Sequence, residues 1–183
     1  MVLRIKKSFV ILLAAVICFL SVTVYAFDAT GVLSETESDS LPVVMYHQLT
    51  KRNSDAGKYV LTVENFEKDL IYLKKRGYHS VTVEELIAYS EGKCDLPDKS
   101  VMITFDDGCE TVYAYALPLL EKYGFNAVCF IIGSVTDKYT QLNDHNLAYS
   151  NLDWNEVKEL CKGKTVDIQS HTYDLHSNTS KRP

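Results

Sequence analysis

A chain of 183 residues, 46% hydrophobic and 23% charged, has the composition of one globular domain with its own core and is too short for two ordinary ones. The formal net charge is −5, and basic residues cluster only at the extreme N-terminus, which argues against nucleic acid as a partner.

The first segment stands apart from the rest. Arg4, Lys6 and Lys7 precede an apolar run from Phe9 to Tyr25, and Val24 and Ala26 place small residues where a signal peptidase would cut. The run is about 18 residues, near the lower limit for crossing a bilayer. Residues 1–26 are therefore expected to be a secretory signal cleaved after Ala26, or an N-terminal membrane anchor through residues 9–26. Either puts the protein outside the cell or at the outer face of its membrane. Residues 27–40 are polar and acidic and read as a linker, and the folded domain is expected over 41–183.

In chain order, Leu41 to Tyr46 is an apolar run suited to a buried strand that ends at His47. Phe66, Leu70 and Leu73 recur at helical spacing, with Thr62 as N-cap and Gly77 as the stop. "HSVT" is a short strand, and Thr82 with Glu85 stands in capping-box register for a second helix. After a turn-rich connector comes the strand "VMITF". The segment "CETVYAYALPLLEKYG" follows as a helix with Val112, Ala116 and Leu120 on one face, a kink or break expected at Pro118, and Gly124 as C-cap. "NAVCFII" is a strand, and residues 133–151 read as one long loop. "LDWNEVKELCK" is a helix with Asp153 and Glu156 at its start, "TVDIQS" is a strand, and the rest is loop. The five cysteines, Cys18, Cys94, Cys109, Cys129 and Cys161, show no CxxC and are expected as free thiols. Apolar strands alternating with helices mean an α/β fold: a parallel sheet wrapped by helices, as a barrel or part of one.

In such folds ligands bind at the carboxyl ends of the strands. Three of those ends carry chemistry here: His47; Asp106 and Asp107, followed by Gly108; and Ser170 and His171, with His176 five residues on. Adjacent carboxylates repel unless something cationic separates them, and Gly108 permits the turn that brings both to one place. Solvated loop acids, an N-cap and surface histidines are the plainer readings of the same residues. One aspartate and two histidines make three protein ligands, the number in a catalytic zinc site whose fourth position is left to water. Zinc is expected, and Co, Ni or Fe would accept the same donors.

The stretches "TFDDG" at 104–108, "LPLLEKYGFNAVCFI" at 117–131 and "SHTYDLH" at 170–176 resemble the polysaccharide deacetylases of the NodB-homology type. The resemblance runs from Leu41 to the C-terminus. The five-residue histidine spacing and the Tyr46-His47 pair look most like the poly-N-acetylglucosamine deacetylases. The resemblance implies a distorted (β/α) barrel, here incomplete. It implies Asp106 as catalytic base, Asp107, His171 and His176 as metal ligands, and His47 as general acid. The implied reaction is hydrolysis of N-acetyl groups on an extracellular N-acetylglucosamine polysaccharide. Downstream motifs of the family, an arginine that orients the base and aromatics around the acetyl group, have no counterpart before Pro183, so the chain is expected to be the front part of such a domain. A wall-associated protein that binds metal or glycan without turnover is the alternative. A Mg²⁺ phosphoryl-transfer pocket fits less well, because Mg²⁺ prefers oxygen donors over histidines.

Overall fold

The computed structural model describes residues 40–175. The expected signal or anchor, nearly all of the linker, Cys18 and His176 lie outside those residues. No helix among the described residues is long and apolar enough to cross a membrane.

Among the described residues, seven strands and five α-helices follow in order. These are β1 (Val43–Tyr46), β2 (Gln48–Thr50), β3 (Val60–Thr62), α1 (Val63–Lys75), β4 (His79–Ser80), α2 (Val83–Ser90) and β5 (Ser100–Phe105). A five-residue π-helical turn (Val112–Ala116) then leads into α3 (Leu117–Tyr123), β6 (Ala127–Ile132), α4 (Gly133–Leu142), α5 (Trp154–Gly163) and β7 (Val166–Thr172). The main sheet runs β1-β5-β6-β7, with β4 pairing the N-terminal end of β5, and every pairing is parallel. This is the expected α/β architecture. The sheet is open, with β1 and β7 at its edges among the described residues, as an incomplete barrel requires.

Local signals set most element ends. The Thr62 side chain accepts from Asn65 N at the start of α1, and Thr82 with Glu85 closes a full capping box on α2. Asp153 with Glu156 does the same on α5, and Gly124 ends α3 at φ +74°. Phe66 and Leu70 of α1 pack on Phe105 of β5, with Phe66 and Phe105 ring centroids 5.5 Å apart. Val112, Ala116 and Leu120, the expected inner face, are fully buried with them.

Three expectations need correction, and one pairing was not foreseen. Residues 133–151 do not form one loop, because the first ten build α4. That helix lacks a side-chain N-cap, and its buried residues are Thr136 and Tyr139, which weakens the apolar pattern. The helix expected from Cys109 begins later, while the irregularity expected at Pro118 is present: the π-turn gives way at Leu117 to α3, with Pro118 in its first turn. Strand β7 continues to Thr172, so His171 belongs to the strand rather than to the loop after it. The short parallel pair of β2 and β3 had no recognisable sequence signal.

The turn after β5 is tight. Asp107 and Gly108 both adopt left-handed backbone, at φ +67° and +66°. A β-carbon at Gly108 would lie 3.0 Å from Ile131 Cγ2 and 3.2 Å from Ile131 Cα, so the turn lies directly against β6. Gly77 has a similar φ of +76° with nothing within 4 Å. Gly108→Ala is therefore expected to cost about 1–3 kcal/mol through strain and contact together, and Gly77→Ala distinctly less. Urea unfolding midpoints of the two variants give the comparison; equal losses would mean that Ile131 exerts no pressure on the turn.

Candidate functional site

Because the sheet is parallel, the carboxyl ends of β1, β5 and β7 share one rim. Tyr46 pairs with Phe105, and Asp106 N donates to Tyr46 O at 2.9 Å, so His47 and Asp106 leave adjacent strands at one level. Both are half-buried, and the His47 ring lies 4.9 Å from that of Tyr59. The turn begins at Asp107 itself, one residue earlier than a reading based on Gly108 alone implies. Successive strand residues point to opposite faces, and the early reversal takes Asp107 out of that alternation.

β7 meets the turn through an irregularity. Ile131 pairs with Ser170 and Ile132 with Thr172, which makes His171 the additional residue of a bulge. A bulge re-aims a side chain out of the alternating pattern. Here it brings His171 Nε2 to 3.7 Å from Asp107 Oδ1, with both side chains about 30% and 26% exposed. Two donors each about 2.1 Å from a shared cation, at a tetrahedral angle, lie about 3.4 Å apart. The oxygen–nitrogen pair thus fits a divalent ion of the zinc class. His176, the third expected ligand, lies outside the described residues.

Beside the bulge is a cavity of about 300 Å³ lined by Ile131, Gly133, Trp154, Ile168, Ser170 and Tyr173, among others. Asp137 holds both aromatic rings, accepting from Trp154 Nε1 at 2.7 Å and from Tyr173 Oη at 3.0 Å. Cys109, two residues after Asp107, is pushed up to about 12 by burial and by the Asp107 charge, and remains a protonated thiol at neutral pH. The described cysteines are all free.

A second polar cluster, which the sequence reading missed, lies behind the turn. Glu110 is buried; its carboxylate accepts from Ser150 Oγ and pairs with His145 Nδ1 at 3.0 Å. Donor atoms of Glu110, His145 and Glu156 lie within 4.8 Å of one another, a spacing that would also accept a cation. Burial, with Glu110 and Asp153 nearby, pushes the Glu156 carboxyl up to about 7, and the bond to Glu110 raises His145 above its ordinary value. The only sequence signal was the Asp153–Glu156 capping pattern, which explains the helix start but gives no hint of Glu110 more than forty positions earlier.

Residues 93–183 match the family model described as "Polysaccharide deacetylase". The chain is 29% identical to the poly-beta-1,6-N-acetyl-D-glucosamine N-deacetylase of Staphylococcus aureus strain MSSA476, over 96% of this chain and 64% of that protein. Identity to the protein of the same name from Staphylococcus epidermidis is 31%, over 77% of this chain and 51% of that one. Among solved structures, a de-N-acetylase from Aggregatibacter actinomycetemcomitans aligns with a TM-score of 0.66 at 27% identity, covering 75% of this chain and 56% of that one. IcaB from Ammonifex degensii aligns at 0.64 and 31% identity, covering 80% and 59%. The chain spans about two thirds or less of the length of each.

The second cluster sets a pH dependence. A carboxyl raised in the fold from its ordinary 4.5 to about 7 favours its neutral form there, so its ionisation destabilises the fold progressively as pH rises from 4.5 through 7. His145, also raised, stabilises fully below its ordinary 6.5 and loses that contribution as pH rises through its folded value. Both effects weaken the fold toward pH 8. Glu156→Gln removes the first, so between pH 5 and pH 8 its thermal midpoint should fall by several degrees less than that of the wild type. Parallel melting curves for the two proteins would refute the assignment.

Proposed function

We propose that this chain, a member of the polysaccharide deacetylase family through residues 93–183, carries the metal-binding and acid–base groups of a hydrolase that removes N-acetyl groups from an extracellular N-acetylglucosamine polysaccharide. The observation that carries the proposal is the approach of Asp107 and His171 to 3.7 Å on the rim that also holds Asp106 and His47. The names of the relatives support the reaction and the substrate. The basic-then-apolar start of the chain supports an extracellular or membrane-anchored location.

Asp107 and His171, together with His176, would hold a divalent cation, with zinc first by donor set and Co, Ni or Fe compatible. When bound, such a cation lowers the pKa of water and polarises a carbonyl. The remaining work belongs to the chain's own groups. Asp106 accepts the proton of the attacking water, and His47 donates a proton to the departing amine; water and acetamide become acetate and a free amino sugar. The cavity beside His171, with Trp154 and Tyr173 held by Asp137, offers flat apolar surfaces of the kind that receive a sugar ring.

The test is acetate release from a chitooligosaccharide or poly-N-acetylglucosamine with added Zn²⁺ or Co²⁺, measured beside cation affinity. Asp106→Asn should lower release by about 10²–10⁴-fold while holding the cation. Asp107→Asn and His171→Ala should each weaken the cation by about tenfold or more. Cation binding by a folded wild-type chain with no acetate release would turn the reading to a metal- or glycan-binding protein. Unchanged affinity in both ligand variants would end it.

A further inference from the structure

We infer that Asn151 is the positioning residue that holds Asp107 in its cation-binding conformation. The inference rests on the reading of Asp107 as a ligand and adds a residue that the rim itself does not contain.

Asp107 has a β-carbon and sits at φ +67°, a conformation that costs such a residue on the order of 1 kcal/mol and persists only where neighbouring groups enforce it. The enforcement comes from residues 150–152. Asn151 Nδ2 donates to the Asp107 carbonyl oxygen at 2.6 Å. On either side, Leu152 N donates to Gly108 O at 2.9 Å and Glu110 N to Ser150 O at 3.0 Å, so this segment runs antiparallel to the turn as a short strap. The strap is anchored at both ends. Ser150 bonds Glu110 and Asn146 through its hydroxyl, Leu152 is fully buried, and Asp153 caps α5. Asn151 therefore does not find Asp107 by flexibility; the backbone delivers its carboxamide there.

The acceptor is a carbonyl, so only the amide end of Asn151 can face it. Aspartate at 151 would keep the shape and set a carboxylate oxygen against a carbonyl oxygen. Released or repelled, the peptide plane between Asp107 and Gly108 is free to rotate, and the Asp107 carboxylate moves relative to His171. Coordination tolerates displacements of only a few tenths of an ångström.

The experiment measures Zn²⁺ affinity, by competition with a chromophoric chelator, for the wild-type chain, N151D, N151A and D107N, with thermal melting of each to establish folding. N151D should bind about tenfold or more weakly. That direction is informative, since an added negative charge near a cation would by simple attraction strengthen binding. N151A, which removes the donor without the repulsion, should fall between N151D and wild type, and it carries the test alone if N151D does not fold. N151D and N151A binding as tightly as wild type while D107N loses affinity would overturn the role of Asn151 and leave the proposed function standing. D107N binding like wild type would remove both.

Discussion

The arrangement of this protein depends on a chain reversal whose second residue has no room for a side chain. Where β5 ends, two consecutive residues enter left-handed backbone, and the second lies so close to Ile131 that a single carbon would collide with β6. Parallel strands bring several chain ends to one rim, but they do not aim what they carry; an extended chain would send Asp106 and Asp107 to opposite faces. The reversal departs from that alternation at Asp107 and leaves its carboxylate 3.7 Å from His171. It also ties the site to the core, because Ile131 contacts Gly108 with its side chain and pairs with the strand that carries His171.

Much of this was legible in the residues. The apolar runs gave every strand of the main sheet, and the capping patterns at Thr62, Thr82 and Asp153 gave three helix starts that the structure reproduces. These are local rules, satisfied within one helical turn. The strand ends that carry Asp106 and Asp107 followed from the same runs. What escaped was set by contacts across the fold. Helix α4 hides its inner face behind Thr136 and Tyr139. The pairing of β2 with β3 depends on geometry between segments rather than on alternation within either. The bulge at His171 is a register mismatch between two strands, and neither strand records it alone.

The strap of residues 150–152 explains why a region without apolar periodicity is well organised. It lies between two capped or pinned points, and its bonds go to the backbone of the reversal and to the buried Glu110. Glu110 in turn is acceptable in the interior because a hydroxyl and an imidazole satisfy its oxygens. The polar network at Glu110 and the approach of Asp107 to His171 thus lie at the two ends of one short turn.

The bulge at His171 has a consequence for inheritance. Because that imidazole occupies a surplus place in β7, loss of one codon just ahead of it could be absorbed by an ordinary, unbroken ladder. The sheet would close up, the core would hardly register the change, and the imidazole would be withdrawn from Asp107. A lineage could dissolve that approach and keep the scaffold in a single genetic event.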